Sequence, residues 1–271
     1  MALLSLNEMT TYRWTFDEDV RRYAAAGIPA LGVWRSKLSD FGEERGIDLV
    51  RESGLRVSSL MWACGFTGSD GRSFQESLED DQEAVRLAGE LEAESLIIYS
   101  GARGGHTSNH ARRLVRTALC ELASLADECG VNLALEPVHE GCGAEWTFLN
   151  RLDDALALLA TVDHPRVKLA FDTYHLCHEG GILFRLAELA PQIAIVHLGD
   201  ARAPPCGEQN RCRLGEGILP LREVIEILTA SGYRGYFEVE LLGEEFEGID
   251  AASLVTHARV AFAQLSGHSA P

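Results

Sequence analysis

The sequence predicts an α/β protein folded as one (β/α)8 TIM barrel, with residues 1–271 forming a single domain. Three observations carry that expectation. Short apolar runs, several of them β-branched, alternate with segments whose apolar residues recur at helical spacing, and the alternation repeats eight times. The chain has 271 residues, close to the roughly 250 typical of an eight-fold barrel. No Gly-x-Gly-x-x-Gly follows the first apolar run, which weakens the open, dinucleotide-binding alternative.

Leu3–Leu6 reads as the first strand and ends near Asn7 and Glu8. Phe16–Ala26 then places Val20, Tyr23 and Ala24 on one helical face, and Gly27 stops it. Ala30–Trp34 is the second strand, tipped by Arg35, Ser36 and Lys37, and a polar helix from about Gly42 to Ser53 leads to the third strand, Val57–Met61. The stretch Trp62–Ser77, rich in Gly and Ser, reads as a long site loop. Ala84, Leu87, Ala88 and Leu91 mark the next helix at i, i+3, i+4 and i+7.

Ser95–Tyr99 is the fourth strand and opens into the glycine-rich Gly101–His106. A helix from about His110 to Cys129 buries Val115, Ala118, Leu119, Leu122, Leu125 and Ala126. Asn132–Glu136 is the fifth strand, Leu152–Thr161 its helix, and Val167–Asp172 the sixth strand. Ile182–Leu189 reads as a short helix and Ile193–Leu198 as the seventh strand. Leu221, Val224, Ile225 and Leu228 form a helix face that Gly232 ends. Tyr236–Leu241 is the eighth strand, and a helix bearing Leu254, Ala258, Ala261, Phe262 and Leu265 closes the chain.

Bulk properties exclude whole classes of partner. A net charge of -17 disfavours nucleic acid, because phosphate binding needs Lys and Arg to displace counterions. No apolar run approaches the roughly 20 residues of a membrane span. The opening MALLSLNEMT lacks the basic region and sustained apolar core of a signal peptide. Seven cysteines, an odd number with no Cys-x-x-Cys pair, read as reduced thiols in a cytoplasmic protein. A homo-oligomer stays open.

Four consecutive strands end in a metal-ligating residue type: Glu136, Asp172, His197 and Glu240. Side chains alternate along a strand, so Ala134 shares a face with Glu136, Ala170 with Asp172, Ile195 with His197, and Glu238 with Glu240. In a closed barrel these tips ring one mouth, the C-terminal face where such folds do chemistry. Three carboxylates and an imidazole in one cavity repel and are poorly solvated unless a cation joins them. The set therefore predicts one divalent metal ion. Its oxygen-rich character makes Mn²⁺ the first choice, with Mg²⁺, Co²⁺ and Zn²⁺ as alternatives.

Any one of these residues alone also reads as a solvated loop group. Glu238 competes with Glu240, which is preferred because it lies nearer the tip; an inward Glu238 is expected to pair with Lys168 deeper in the barrel. His106, whose glycine neighbours suit an anion or simply a turn, and His139, three residues after Glu136, are candidate substrate-binding groups. Trp14 and Trp146 are candidate walls for a sugar ring.

At LALEPVHEG, LAFDTYH, VHLGD, RCRLGEG and GYRGYFEVEL the chain resembles the sugar phosphate isomerase/epimerase family of the xylose isomerase-like TIM barrel superfamily. These motifs fall in order over residues 132–241; the N-terminal half agrees in layout more than in motif. The resemblance implies that Glu136, Asp172, His197 and Glu240 hold the metal and that His175 and Arg211 bind substrate. A turn-capping role is the alternative for His175, and a surface position for Arg211. Two positions depart from the family pattern. Ketose 3-epimerases carry a glutamate six residues after the first ligand, where this chain has Cys142, and a Pro-Gly turn where it has Leu214-Gly215.

The chemistry expected of such a site is sugar, sugar phosphate or keto-polyol isomerisation or epimerisation. Glu136 and Glu240 would be the catalytic acid–base pair, working on a small polyhydroxy keto substrate through a metal-stabilised enediolate. The alternative is a metal-dependent lyase that dehydrates a keto-inositol-like ring or eliminates from a 3-keto glycoside. Phosphodiester cleavage, as in the apurinic endonucleases of the same superfamily, is disfavoured because the second and third strand tips, near Arg35 and Met61, offer no further ligands.

Overall fold

In the computed structural model, which describes residues 2–207 and 209–267, eight parallel strands close into a barrel in sequence order. They are β1 (Leu3–Asn7), β2 (Ala30–Trp34), β3 (Arg56–Ala63), β4 (Ser95–Ile98), β5 (Asn132–Leu135), β6 (Val167–Asp172), β7 (Ile193–Leu198) and β8 (Tyr236–Val239). Pairing of β8 with β1 completes the ring. Around it run α1 (Phe16–Ala25), α2 (Arg35–Phe41), α3 (Glu43–Ser53), α4 (Phe74–Glu90), α5 (Ser108–Cys129), α6 (Leu152–Val162), α7 (Thr173–Leu176), α8 (Ile182–Leu189), α9 (Leu221–Ala230) and α10 (Ala251–Leu265).

The two-residue period of each strand divides its side chains between two cores. Leu133, Leu135, Leu169, Phe171, Val196, Leu198, Phe237 and Val239 face the helices and join the large outer core. Ala134, Ala170 and Ile195 face the lumen and pack with Met61, Ile97, Tyr99 and Val138. This is the inward register that the strand tips require. Local signals set the helix ends: α4 starts at a reciprocal cap in which Ser73 Oγ accepts from Glu76 N–H and Glu76 accepts from Ser73 N–H. Gly130, with φ of 76°, ends α5 in the left-handed conformation that glycine adopts without strain.

β5 and β8 stop at Leu135 and Val239, short of the expected Glu136 and Leu241, while three segments run further into regular structure than the sequence suggests. Strand β3 runs on through Trp62 and Ala63, and α4 begins at Phe74, so the long loop shortens from both ends. The Arg35–Lys37 tip is the first turn of α2. His175 sits on the short helix α7, whose first turn is nucleated by Asp172 Oδ1 accepting from Tyr174 N–H at 2.7 Å. Each extension has the same physical origin: capping bonds and tertiary contacts extend an element past where composition alone stops it.

Lys37 shows why α2 forms. Its ammonium is buried and donates to Asp19 Oδ2 at 2.6 Å, Thr11 O at 2.9 Å and Glu8 O at 3.2 Å, pinning α2 to the segment after β1. All three donor positions of the ammonium are used. Burial pushes Asp19 up to about 6 against the pull of Lys37. Removing one member of such a pair strands the other charge. Lys37→Met is therefore expected to lower unfolding free energy by about 3–5 kcal/mol in urea denaturation, and Lys37→Met/Asp19→Leu to recover much of it.

Candidate metal centre

Glu136, Asp172, His197 and Glu240 meet at the C-terminal mouth of the barrel, each buried, with one ligand atom apiece all within 4.8 Å of one another. Asp172 and His197 are register partners across β6 and β7. Glu136 and Glu240 fall one residue past β5 and β8, where Glu136 N–H donates to Ile98 O and Glu240 N–H to Leu198 O, so each backbone is still tied to its neighbouring strand. His197 Nδ1 lies 3.4 Å from Glu136 Oε2 and 3.5 Å from Glu240 Oε2. His197 Nε2 points the other way and lies 3.5 Å from Glu238 Oε1.

The donor set fits a divalent cation on structural grounds. Both carboxylate oxygens of Glu136 and the His197 Nδ1 that faces them are buried without a hydrogen-bond partner among the described residues. Polar atoms left so cost free energy, and a cation bound by oxygen and imidazole nitrogen removes that cost. Titration responds to the crowding. Burial pushes Glu240 up to about 7, although Arg211 and His197 pull it down. Burial alone would lower His197, but Glu136, Glu238 and Glu240 outweigh it and raise the ring to about 10. For Asp172, burial opposes ionisation, yet Arg211, His175 and His197 hold its carboxyl well below the usual range.

Arg211 is fully buried beside the four ligands. It donates to Asp172 at 2.8 and 3.2 Å and to Glu240 Oε2 at 3.3 Å, with its guanidinium 4.7 Å from the Tyr174 ring centroid. The VHLGD and LGEG motifs explain how it gets there. Gly199 leaves the space, since a Cβ there would sit 2.3 Å from Arg211 Nη1. Asp200 then accepts from the backbone N–H groups of Gly215, Gly217 and Leu219, fastening the loop that carries Arg211.

Of the other expected substrate groups, His175 is buried with Nε2 3.9 Å from Asp172 Oδ2, and burial pushes its pKa down to about 3. His139 Nδ1 accepts from Gly141 N–H at 3.0 Å, and its ring centroid is 6.0 Å from that of His178. His106 Nε2 lies 3.2 Å from Thr67 O, and its ring stacks on His110 at 4.6 Å; like His139, His175 and Arg211, it does not line the cavity beside the cluster.

That cavity, about 690 Å³, is walled by Tyr12, Trp34 and Trp146. Its floor includes Cys142, whose Sγ is 3.9 Å from His175 Nδ1, and Gln209, which accepts from Arg211 at 3.2 Å. Trp146 is where the sequence reading placed it; Trp14 is not, because it packs on the outer core with Arg22 stacked at 4.5 Å. Trp34 and Tyr12 carried no signal as site residues, since each reads as an ordinary aromatic at the end of an element. Glu140, Glu145, Glu244 and Glu247 also line the cavity, and among the described residues no Lys or Arg does.

The expected pairing of Glu238 with Lys168 is overturned. Glu238 accepts from Asn7, Ser58 and Ser59 in the lumen. Lys168, four residues before the β6 tip, lies instead beside His164, Pro165 and Gln192 at the opposite end of the barrel. A barrel strand separates its two ends by its whole length, so a shared face does not bring together groups at different depths.

A barrel whose mouth gathers acid and imidazole ligands defines a class of protein, and sequence comparison gives the family. The xylose isomerase-like TIM barrel model matches residues 20–259, and the chain belongs to that family. It is 29% identical to the ketose 3-epimerase of Arthrobacter globiformis over 237 residues, covering 82% of this chain and 78% of that one. It is 27% identical to an inosose isomerase of Halalkalibacterium halodurans over 153 residues, 55% of this chain and 52% of the relative; the match thus spans about half the length of that protein. A protein of Sinorhizobium meliloti superposes with a TM-score of 0.86 at 27% identity over 95% of this chain and 96% of its own. The IolI protein with a bound zinc atom superposes at 0.84 over 98% of each chain, and at 19% identity that likeness is one of fold.

The titration of His197 leads to a measurable consequence. An imidazole must be neutral to ligate a cation, so uptake displaces its proton and affinity rises with pH. Titration calorimetry with Zn²⁺ in buffers of differing ionisation enthalpy is expected to show net proton release near pH 7, and tighter binding at pH 8 than at pH 6. A cation at 100 times its dissociation constant is expected to add about 2.7 kcal/mol to stability.

Proposed function

We propose that the chain is a metal-dependent isomerase or epimerase of a small, unphosphorylated polyhydroxy ketone, with Mn²⁺ as its resident ion. The observation that carries this reading is the convergence of Glu136, Asp172, His197 and Glu240 within 4.8 Å at the barrel mouth. The kinship with sugar epimerases and isomerases supports it. When bound, the ion supplies Lewis-acid polarisation of the substrate carbonyl.

The chain's own groups account for the proton transfers. One of Glu136 and Glu240 takes the proton from the carbon next to the carbonyl, and the electron pair left behind delocalises onto the carbonyl oxygen. The other glutamate returns a proton. Delivery to the opposite face of the same carbon inverts it, whereas delivery to the former carbonyl carbon, with the proton of the adjacent hydroxyl passing to the former carbonyl oxygen, moves the carbonyl. Arg211, bonded to Glu240, and His175, beside Asp172, are the groups that would hold the substrate's oxygens. Trp34, Trp146 and Tyr12 offer flat apolar faces to the carbon skeleton.

The wall of the cavity supports the choice of an unphosphorylated substrate. A phosphate dianion would enter beside four glutamates; among the described residues no Lys or Arg lines this cavity, and the nearby Arg211 is already bonded to Asp172 and Glu240. The test is proton NMR in deuterated buffer, with Mn²⁺-loaded protein and matched ketoses and keto-inositols, free and phosphorylated. Deuterium uptake beside the carbonyl of an unphosphorylated substrate is expected, slowed by about 100-fold or more in Glu240→Gln. Loss of water with a new enone absorbance would make the protein a lyase, and preference for the phosphorylated partner would overturn the substrate class.

A further inference from the structure

The barrel lumen holds a carboxylate that the proposed proton transfers do not use. Glu238 is buried on β8, two residues before Glu240, and both its oxygens are occupied from below. Asn7 Nδ2 donates to Oε1 at 2.5 Å, Ser58 Oγ donates to Oε2 at 2.5 Å, and Ser59 Oγ reaches both oxygens at 3.0 Å. Ser5 Oγ lies 2.6 Å from Ser58 Oγ; because the Ser58 proton goes to Glu238, Ser5 donates to Ser58. The backbone makes room as well. Gly32 on β2 faces the carboxylate so closely that a Cβ would sit 2.3 Å from Oε1. Strand register gathers these residues: Glu238 pairs with Ser5 across β8 and β1 and with His197 across β7 and β8, while Gly32 pairs with Asn7 and with Ser59.

A carboxylate held this firmly has one neighbour left to serve. Its Oε1 lies 3.5 Å from His197 Nε2, and the other ring nitrogen of His197 is the one that faces Glu136 and Glu240. A neutral imidazole carries a single N–H, so a ring that gives its Nε2 proton to a carboxylate keeps the Nδ1 lone pair free for a cation. Metal-binding histidines are commonly oriented by such a partner, and loss of that partner weakens metal affinity about 10–100-fold.

We propose that Glu238 is a positioning residue of the metal centre: held by Asn7, Ser58 and Ser59, it accepts from His197 Nε2–H and so turns Nδ1 toward the ligand cluster. This rests on the metal reading of the four-residue cluster and adds a second layer beneath it. The serine and asparagine donors then have a purpose beyond filling the lumen. They neutralise the cost of a buried charge whose task is to aim one ring.

Two measurements test it. In the unaltered Zn²⁺-loaded protein, long-range proton–nitrogen NMR correlations of the His197 ring are expected to place the proton on Nε2 and the metal on Nδ1; a proton on Nδ1 overturns the proposal without any variant. Binding of Zn²⁺ measured by chelator competition is expected to weaken about 10–100-fold in Glu238→Ala and less in Glu238→Gln, which keeps an acceptor oxygen. Both variants are also melted without metal, so that a loss of fold is separated from a loss of affinity. A folded Glu238→Ala whose Zn²⁺ affinity matches the unaltered protein overturns the positioning role and leaves the metal centre standing. Failure of the unaltered protein to bind Zn²⁺ overturns both.

Discussion

Like charges do not gather out of water unless something holds them, and the mouth of this barrel is arranged around that constraint. Three carboxylates and an imidazole lie within 4.8 Å of one another, all buried, with Glu238 just below. Arg211 supplies one fixed positive charge, bonded to Asp172 and Glu240. It does not reach Glu136, whose carboxylate has no hydrogen-bond partner. That uneven compensation is what marks a place for a cation, and the surrounding structure follows from it. Gly199 is bare so that Arg211 can enter, and Asp200 ties down the loop that delivers it.

The barrel makes such crowding tolerable by assigning each group to a different strand. No two of the four ligands come from the same element, so strand pairing rather than local chain geometry bears the electrostatic repulsion. The lumen below is divided. One sector is apolar, with Ile97, Ala134, Ala170 and Ile195. The other is polar, with Ser5, Asn7, Ser58, Ser59 and Glu238 satisfying one another. The apolar sector stabilises closure; the polar one supports the imidazole.

A cavity adjoins the cluster, meeting it through Cys142 and Gln209. Its wall carries four glutamates and three aromatic rings. Cys142 lines it as well. Its thiol, raised to about 11 by burial, stays protonated at neutral pH and brings no charge to the floor of the cavity.

The sequence by itself determined the architecture and which four ligand-type residues gather at the barrel mouth. Strand periodicity is local, so Ala134 with Glu136, or Ala170 with Asp172, can be assigned to a face without knowing what lies across the barrel. A strand's C-terminal tip is local too, which is why four tips ending in ligands were legible together. What only the tertiary structure decided is everything that depends on depth and on distant partners. Glu238 meets Ser58 from 180 residues away and Asn7 from 231, and no local pattern distinguishes those partners from Lys168, which shares the lumen face at the wrong end. Trp34 and Tyr12 became cavity walls, and Trp14 did not, through the paths of chain that bring loops over the mouth. Side-chain direction is written in neighbouring residues, whereas the identity of the group it meets is set by closure of the whole ring.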